Sequence, residues 1–184
     1  MKVISLKKVQ DISLLKYLKD KQISKKSWLP YLIEVIVQFN KLNVALLGFK
    51  NDLDGYQLYH PDIKKQLCIG NVGITTIEGE KDRLCVFQDV FGFLSFVELG
   101  KYKNQEVIVL NSLANTGRAT KMIELNFVQL ISVTELYLNN DEEGSKATLD
   151  IQKQLIEAEN KSILYRDFLN LNELLLARNR ERKK

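Results

Sequence analysis

The chain has 184 residues, 45% of them hydrophobic and 27% charged, a balance that excludes a disordered or fibrous chain and suits one domain with a small subdomain. No apolar run approaches the roughly 18 residues that span a bilayer, and the opening MKVISLKKVQD lacks the apolar centre of a secretory signal. The net charge of +4, from 27 Lys+Arg against 23 Asp+Glu, does not by itself require a nucleic-acid partner.

The placement of the charge says more than the total. Lys7, Lys8, Lys16, Lys19, Lys21, Lys25 and Lys26 crowd the first segment, and RNRERKK closes the chain. Singly these are a solvated helix face and a basic tail; together they permit a phosphate-contacting surface. Cys68 and Cys85 lie inside apolar runs and read as inert buried thiols in a reducing cytoplasm. A single histidine, His60, ahead of Pro61 reads as a turn residue and leaves no material for a zinc site or a histidine-based triad.

In chain order, DISLLKYLKDKQ carries a helical stripe at Ile12, Leu15 and Leu18, with Asp11 as its cap. SKKSWLPYL predicts a second short helix, in which Trp28 and Tyr31 read as subdomain core rather than as platforms for stacked bases. EVIVQFN, VALLGFKN and YQLYH are short strands broken by NKLN and NDLDG, the chemistry of hairpins. Residues 1–80 thus predict a small α+β subdomain with antiparallel strands, out of which QLCIG and GITTIEG lead.

From Lys81 the rhythm changes. RLCVFQ, QEVIVLN and VTELYLNN are continuous apolar strands, and DVFGFLSFVELG, TGRATKMIELNFVQL and EEGSKATLDIQKQLIEAEN are the helices between and after them. Phe87, Phe91, Phe93 and Phe96 read as core. A short strand SILYR and a helix NLNELLLARNRER follow, so the expected domain covers 81–178, with 179–184 as a basic tail. Buried strands alternating with helices predict a mostly parallel, Rossmann-like sheet flanked by helices. Ligand sites in such sheets lie at the carboxyl ends of the strands, which selects Gln88, Asn111 and Asn139 to Asp141.

Several ordered blocks resemble the Toprim domain of bacterial-type and mobile-element DNA primases. CVFQDVFGFLSF, residues 85–96, is similar to the family pattern V-F-E-G-x-x-D-x-L-S-F. VLNSLAN at 109–115 and YLNNDEEG at 137–144 are similar to V-L-N-S-x-x-N and Y-L-D-N-D-x-x-G, and YRDFLNLNELL echoes Y-K-D-x-x-D-L-N-E. LLKYLKDKQIS, LLGFKNDLDGYQLYHP and CIGNVGITTI resemble the segment that precedes Toprim in these proteins.

The resemblance implies a magnesium-dependent site, and the departures from it fall on that site. Gln88 stands where the family has its general acid/base glutamate, Gly92 where relatives carry Asp, Asn139 at the first aspartate of the D-x-D pair, and Asn170 at the late aspartate. Asp141 alone survives among these positions. Magnesium is usually held by one or two carboxylates with phosphate and water, and an amide supplies an acceptor but no charge. Glutamine moves no proton at ordinary pH.

The expectation is therefore a Toprim-fold protein without resident cofactor that has lost catalysis and binds DNA or a replication or mobilisation partner. The alternative is a magnesium enzyme that uses the displaced carboxylates Asp89, Asp141 and Glu142, with Asp141 and Glu142 as a weak metal pair. Glu142 and Glu143 otherwise complement the helix dipole. Asn115 or Thr116 is expected to cap a helix beside Arg118 as an anion loop, and Lys146 is expected either to face the crevice or to pair with Glu142.

Overall fold

The structure is a computed structural model that describes residues 2–127 and 131–182. By contacts it divides into two units, Met1–Gly73 and Ile74–Lys184.

In the first unit, β1 (Lys2–Lys7), β2 (Leu32–Phe39), β3 (Leu42–Lys50), β4 (Tyr56–His60) and β5 (Ile63–Ile69) form one antiparallel sheet in that order. The turn between β2 and β3 is Asn40–Lys41, both with positive φ (48° and 68°). That is the two-residue geometry whose twist matches the flanking strands. Helices α1 (Ile12–Asp20) and α2 (Lys25–Trp28) lie between β1 and β2 in the chain. Asp11 caps α1, its Oδ1 accepting from the N–H of Ser13 and of Leu14.

The segment entering α1 is pinned by Glu34, a fully buried carboxylate on β2. It accepts hydrogen bonds from the N–H groups of Gln10 and Asp11, both at 2.8 Å, and pairs with Lys7 at 3.1 Å. Trp28 is 4% exposed, so its ring is core. The strand β1 itself has no counterpart in the sequence expectation, which began with the helix at Asp11.

In the second unit, the sheet order is β10 (Ala158–Asn160), β9 (Val133–Tyr137), β7 (Glu80–Phe87), β8 (Gln105–Val109), β6 (Thr75–Ile77). The first four are mutually parallel, and β6 runs antiparallel to β8. The mostly parallel description therefore holds for this sheet alone, while the first sheet is wholly antiparallel. Because β6 pairs with β8, the boundary between units falls after Gly73, ahead of the residue 80 expected from composition.

Helices α3 (Val90–Glu98), α4 (Thr116–Asn126), α5 (Glu142–Gln154) and α6 (Leu171–Glu181) cover the sheet. Leu84, Val86, Ile108, Leu110, Leu136 and Leu138 meet Ala119 and Ile123 of α4 and Ala147 and Ile151 of α5 in one cluster. On the alternate positions, Phe87 stacks on Tyr137 at 5.1 Å, and both meet Phe96 of α3 edge-on. Each large side chain so buried contributes about 1.5–3 kcal/mol. Covering both faces is why apolar residues take successive positions at 84–87 and 107–110.

Two expectations are corrected. α5 stops at Gln154 instead of running to residue 160, because 158–160 pair with β9 as β10. SILYR is not a strand; Ser162–Tyr165 is a 3-10 turn. Its backbone is held elsewhere, as described below. The last helix runs to Glu181, within the expected NLNELLLARNRER, and Lys183 and Lys184 lie outside the described residues, as do Val128, Gln129 and Leu130 at the end of the expected fourth helix.

Candidate functional site at the carboxyl edge of the parallel sheet

Register alone brings the candidate residues together. Phe87 is level with Val109 on one side and with Tyr137 on the other, so the chain leaves all three strands at one edge. Leu110 still donates to the Phe87 carbonyl at 2.8 Å. One residue further, the side-chain Oε1 of Gln88 accepts from the backbone N–H of Asn139 at 3.1 Å. Gln88 and Asn139 are thus hydrogen-bonded neighbours.

The carboxylates beside them serve helix starts. Asp89 caps α3 through Oδ1, which accepts from Gly92 N–H at 2.9 Å. Asp141 caps α5 in the same way, accepting from Gly144 N–H at 2.7 Å. Both follow the pattern D-x-x-G, with the donor at the third helical position. Gly144 has a steric reason as well: an added Cβ would lie 2.3 Å from the Asn139 carbonyl oxygen. The start of α5 is therefore pressed onto the loop that carries Asn139.

The loop is fastened from its other side by Asn140. Its Nδ2 is within 2.9 Å of the carbonyl oxygens of Tyr165 and Phe168 and 3.3 Å from that of Ser162, and its backbone N–H donates to the Leu169 carbonyl at 2.8 Å. This is what consumes the backbone of the segment expected as a strand. Tyr165 is buried and donates its hydroxyl to the Leu138 carbonyl at 2.7 Å. Burial, and then the charge of Asp89, push the Tyr165 phenol well above its ordinary range.

The remaining candidates are distributed differently. Asn111 is buried in a left-handed turn (φ 61°) and donates to Thr75 Oγ1 at 2.9 Å, tying this edge to β6. Asn115 is also buried, donating to the Leu110 carbonyl at 2.9 Å, and Thr116 Oγ1 donates to the Leu113 carbonyl. Neither side chain caps the first turn of α4, so the expected side-chain cap is not formed. Arg118 and Lys146 are exposed on α4 and α5. Lys146 acts on Asp150 one turn later, whose acidity is raised first by Lys153 and then by Lys146. Asn170, at the late acidic position, caps α6 by accepting from the N–H groups of Asn172 and Glu173, both at 3.1 Å.

A magnesium ion needs oxygen ligands with net negative charge. This edge offers the amides of Gln88 and Asn139, and two carboxylates, Asp89 and Asp141, each with one oxygen turned onto a helix start. Glu142 is exposed on the first turn of α5. Among the described residues, no group of three or more His, Cys, Asp or Glu comes together. The donor set does not fit a magnesium site of the carboxylate-rich kind.

Sequence reasoning reached Gln88, Asn139 and Asp141 through the strand ends. It missed Asn140 as a clamp and Asp89 as a cap. The repeated D-x-x-G at 89–92 and 141–144 was the available signal for the caps; nothing local announces Asn140, whose partners lie 22 to 28 residues away.

An α/β unit with a mostly parallel sheet, preceded by an antiparallel unit, is similar in fold to solved primase structures. The primase fragment of the bacteriophage T7 primase-helicase protein superposes with a TM-score of 0.70 at 16% identity, over 87% of this chain and 69% of that one. A second match is to the structure of the bacteriophage T7 lagging-strand DNA polymerase interacting with primase domains of two gp4 subunits bound to an RNA/DNA hybrid and dTTP. Its TM-score is 0.56 at 14% identity, over 78% and 76% of the two chains. A family model described as a domain of unknown function, DUF8464, matches residues 3–69, within the first unit. No curated protein matches the chain. The chain thus has a primase-related fold, and among the described residues no helix is long and apolar enough to cross a membrane.

Proposed function

We propose that this chain is a Toprim-type relative of DNA primases that has lost magnesium-dependent catalysis and acts by binding nucleic acid or a replication or mobilisation protein in the cytoplasm. The observation that carries the reading is the Gln88–Asn139 hydrogen bond. The Gln88 side-chain oxygen accepts from the Asn139 backbone N–H, so a neutral amide stands where the resemblance implies a carboxylate, and the Asn139 side chain beside it is neutral as well. The crevice keeps its shape without the ion, and it loses both the charge that would hold the metal and the group that would move a proton. Neutralisation also removes repulsion against a phosphate backbone.

The T7 primase domains are bound to an RNA/DNA hybrid, and exposed Lys16, Lys19, Lys25 and Lys26 with Arg178, Arg180 and Arg182 supply cations suited to phosphate contact here. Arg118 and Lys146, exposed on neighbouring helices, belong to the same reading. Fluorescence anisotropy with single-stranded and duplex DNA at rising salt tests it. Affinity that falls linearly with the logarithm of salt supports nucleic-acid binding; no affinity for DNA or for any replication protein removes the proposal.

A second reading, an active magnesium-dependent nucleotidyl- or phosphodiester-transfer enzyme, is favoured by Asp89 and Asp141, two carboxylates that follow the ends of the adjacent strands β7 and β9. A primer-synthesis assay in Mg²⁺ and Mn²⁺, comparing the wild-type chain with Asp141→Ala and Asp89→Ala, separates the two. Activity abolished by either substitution establishes the second reading.

A further inference from the structure

β1 differs from every other described strand of its sheet in that all six of its residues are exposed. It stands at the end of the strand order and pairs on one side only, with β2. Register places Val3 opposite Val37 and Leu6 opposite Val35, and directly opposed residues share a face. Val3 and Leu6 therefore extend the apolar cluster of Val35, Val37, Leu46 and Leu58 to the sheet edge, yet they are 36% and 48% exposed. Phe39 and Leu42, paired across the hairpin tip on the same face, are 59% and 70% exposed. The apolar face of this sheet thus ends in exposed side chains at its edge.

Such an edge offers backbone donors and acceptors together with a row of apolar side chains, the two requirements for strand addition. Its charge selects the occupant. Lys2 and Lys8 are exposed at the two ends of the strand, and Lys41 is exposed at the hairpin tip; Lys7 is already engaged by Glu34. A second copy of β1 laid antiparallel on the first would set Lys2 against Lys7 or Lys8, and like charges directly opposed are destabilising. The same lysines attract a strand that ends in carboxylates.

We propose that β1 is a docking edge for an extended segment of a partner protein, apolar at alternate positions and acidic at its ends, which adds to the antiparallel sheet as a sixth strand beside Val3 and Leu6. This inference is independent of nucleic-acid binding and of the crevice in the second unit.

The test uses the full chain and two labelled peptides, acetyl-Glu-Val-Thr-Val-Thr-Val-Glu-amide and the same sequence with lysine at both ends, read by fluorescence anisotropy and by amide hydrogen exchange. The Glu-flanked peptide is expected to bind about tenfold or more tighter than the Lys-flanked one, to slow exchange in residues 2–7, and to lose about tenfold in affinity on Leu6→Glu or on Leu6→Thr, which keeps strand propensity. Equal binding of the two peptides, binding indifferent to both substitutions, or unchanged exchange in β1 overturns the proposal. So does self-association of the chain in the ultracentrifuge that Leu6→Glu abolishes, since it assigns the edge to a second copy.

Discussion

The N–H of Asn139 donates to the side-chain oxygen of Gln88 at 3.1 Å, across 51 positions of sequence. The contact locks the ends of two adjacent parallel strands through a neutral group. The strand-end loops that the resemblance assigns to metal chemistry are here joined by a hydrogen bond.

Asn140 is the first place where this can be measured. Its amide hydrogens lie among three backbone carbonyls. Asn140→Asp replaces the donor by an acceptor facing acceptors, and we expect a loss of about 2–4 kcal/mol in urea denaturation, against about 1–3 for Asn140→Ala. Hydrogen exchange should rise first in residues 162–169. An Asn140→Asp chain as stable as wild type would refute the clamp.

Two glycines at helix starts should respond in opposite directions. Gly144→Ala puts a methyl 2.3 Å from the Asn139 carbonyl and must displace that loop, at about 1–3 kcal/mol. Gly117, in the first turn of α4, has nothing within 4 Å of an added Cβ, and Gly117→Ala is expected to stabilise by about 0.5 kcal/mol through the unfolded chain. Thermal melts of both variants check the contrast; similar shifts for the two would show that the α5 start is not pressed against the loop.

Glu34 gives the first unit a pH dependence. Burial pushes its carboxyl up, but the N–H groups of Gln10 and Asp11 and the Lys7 ammonium outweigh burial, and the net shift is downward. A carboxyl depressed in the folded state stabilises fully above its unfolded pKa of about 4.3, and that contribution is lost as pH falls through the lower folded value. Glu34→Gln should therefore be less stable than wild type at neutral pH, by about 1–3 kcal/mol, with the gap closing below about pH 4. A gap that persists undiminished at pH 2 would contradict this assignment.

How much of this was legible in the sequence depended on whether the signal was local. The continuous runs at 84–87, 106–110 and 134–138 declare strands covered on both faces, and their common carboxyl edge follows from parallel pairing. β1 was not legible, because KVISLK carries lysines at both ends and one-sided pairing leaves no burial pattern to read. SILYR has strand-forming residues, but its carbonyls are captured by Asn140, a tertiary effect with no trace in its own composition. The cap expected from Asn115 is absent for a related reason: its side chain turns inward to the Leu110 carbonyl.

The central claim is that the crevice has kept its shape and shed the charge that binds a divalent ion. Manganese titration of the full chain, followed by water-proton relaxation, tests it most directly when wild type is compared with Gln88→Glu/Asn139→Asp. The account predicts wild-type binding no tighter than about millimolar, the range of sites with few charged ligands, and an affinity about tenfold or more higher once two carboxylates are restored. Micromolar binding by the wild-type chain, lost on Asp141→Ala, would contradict it.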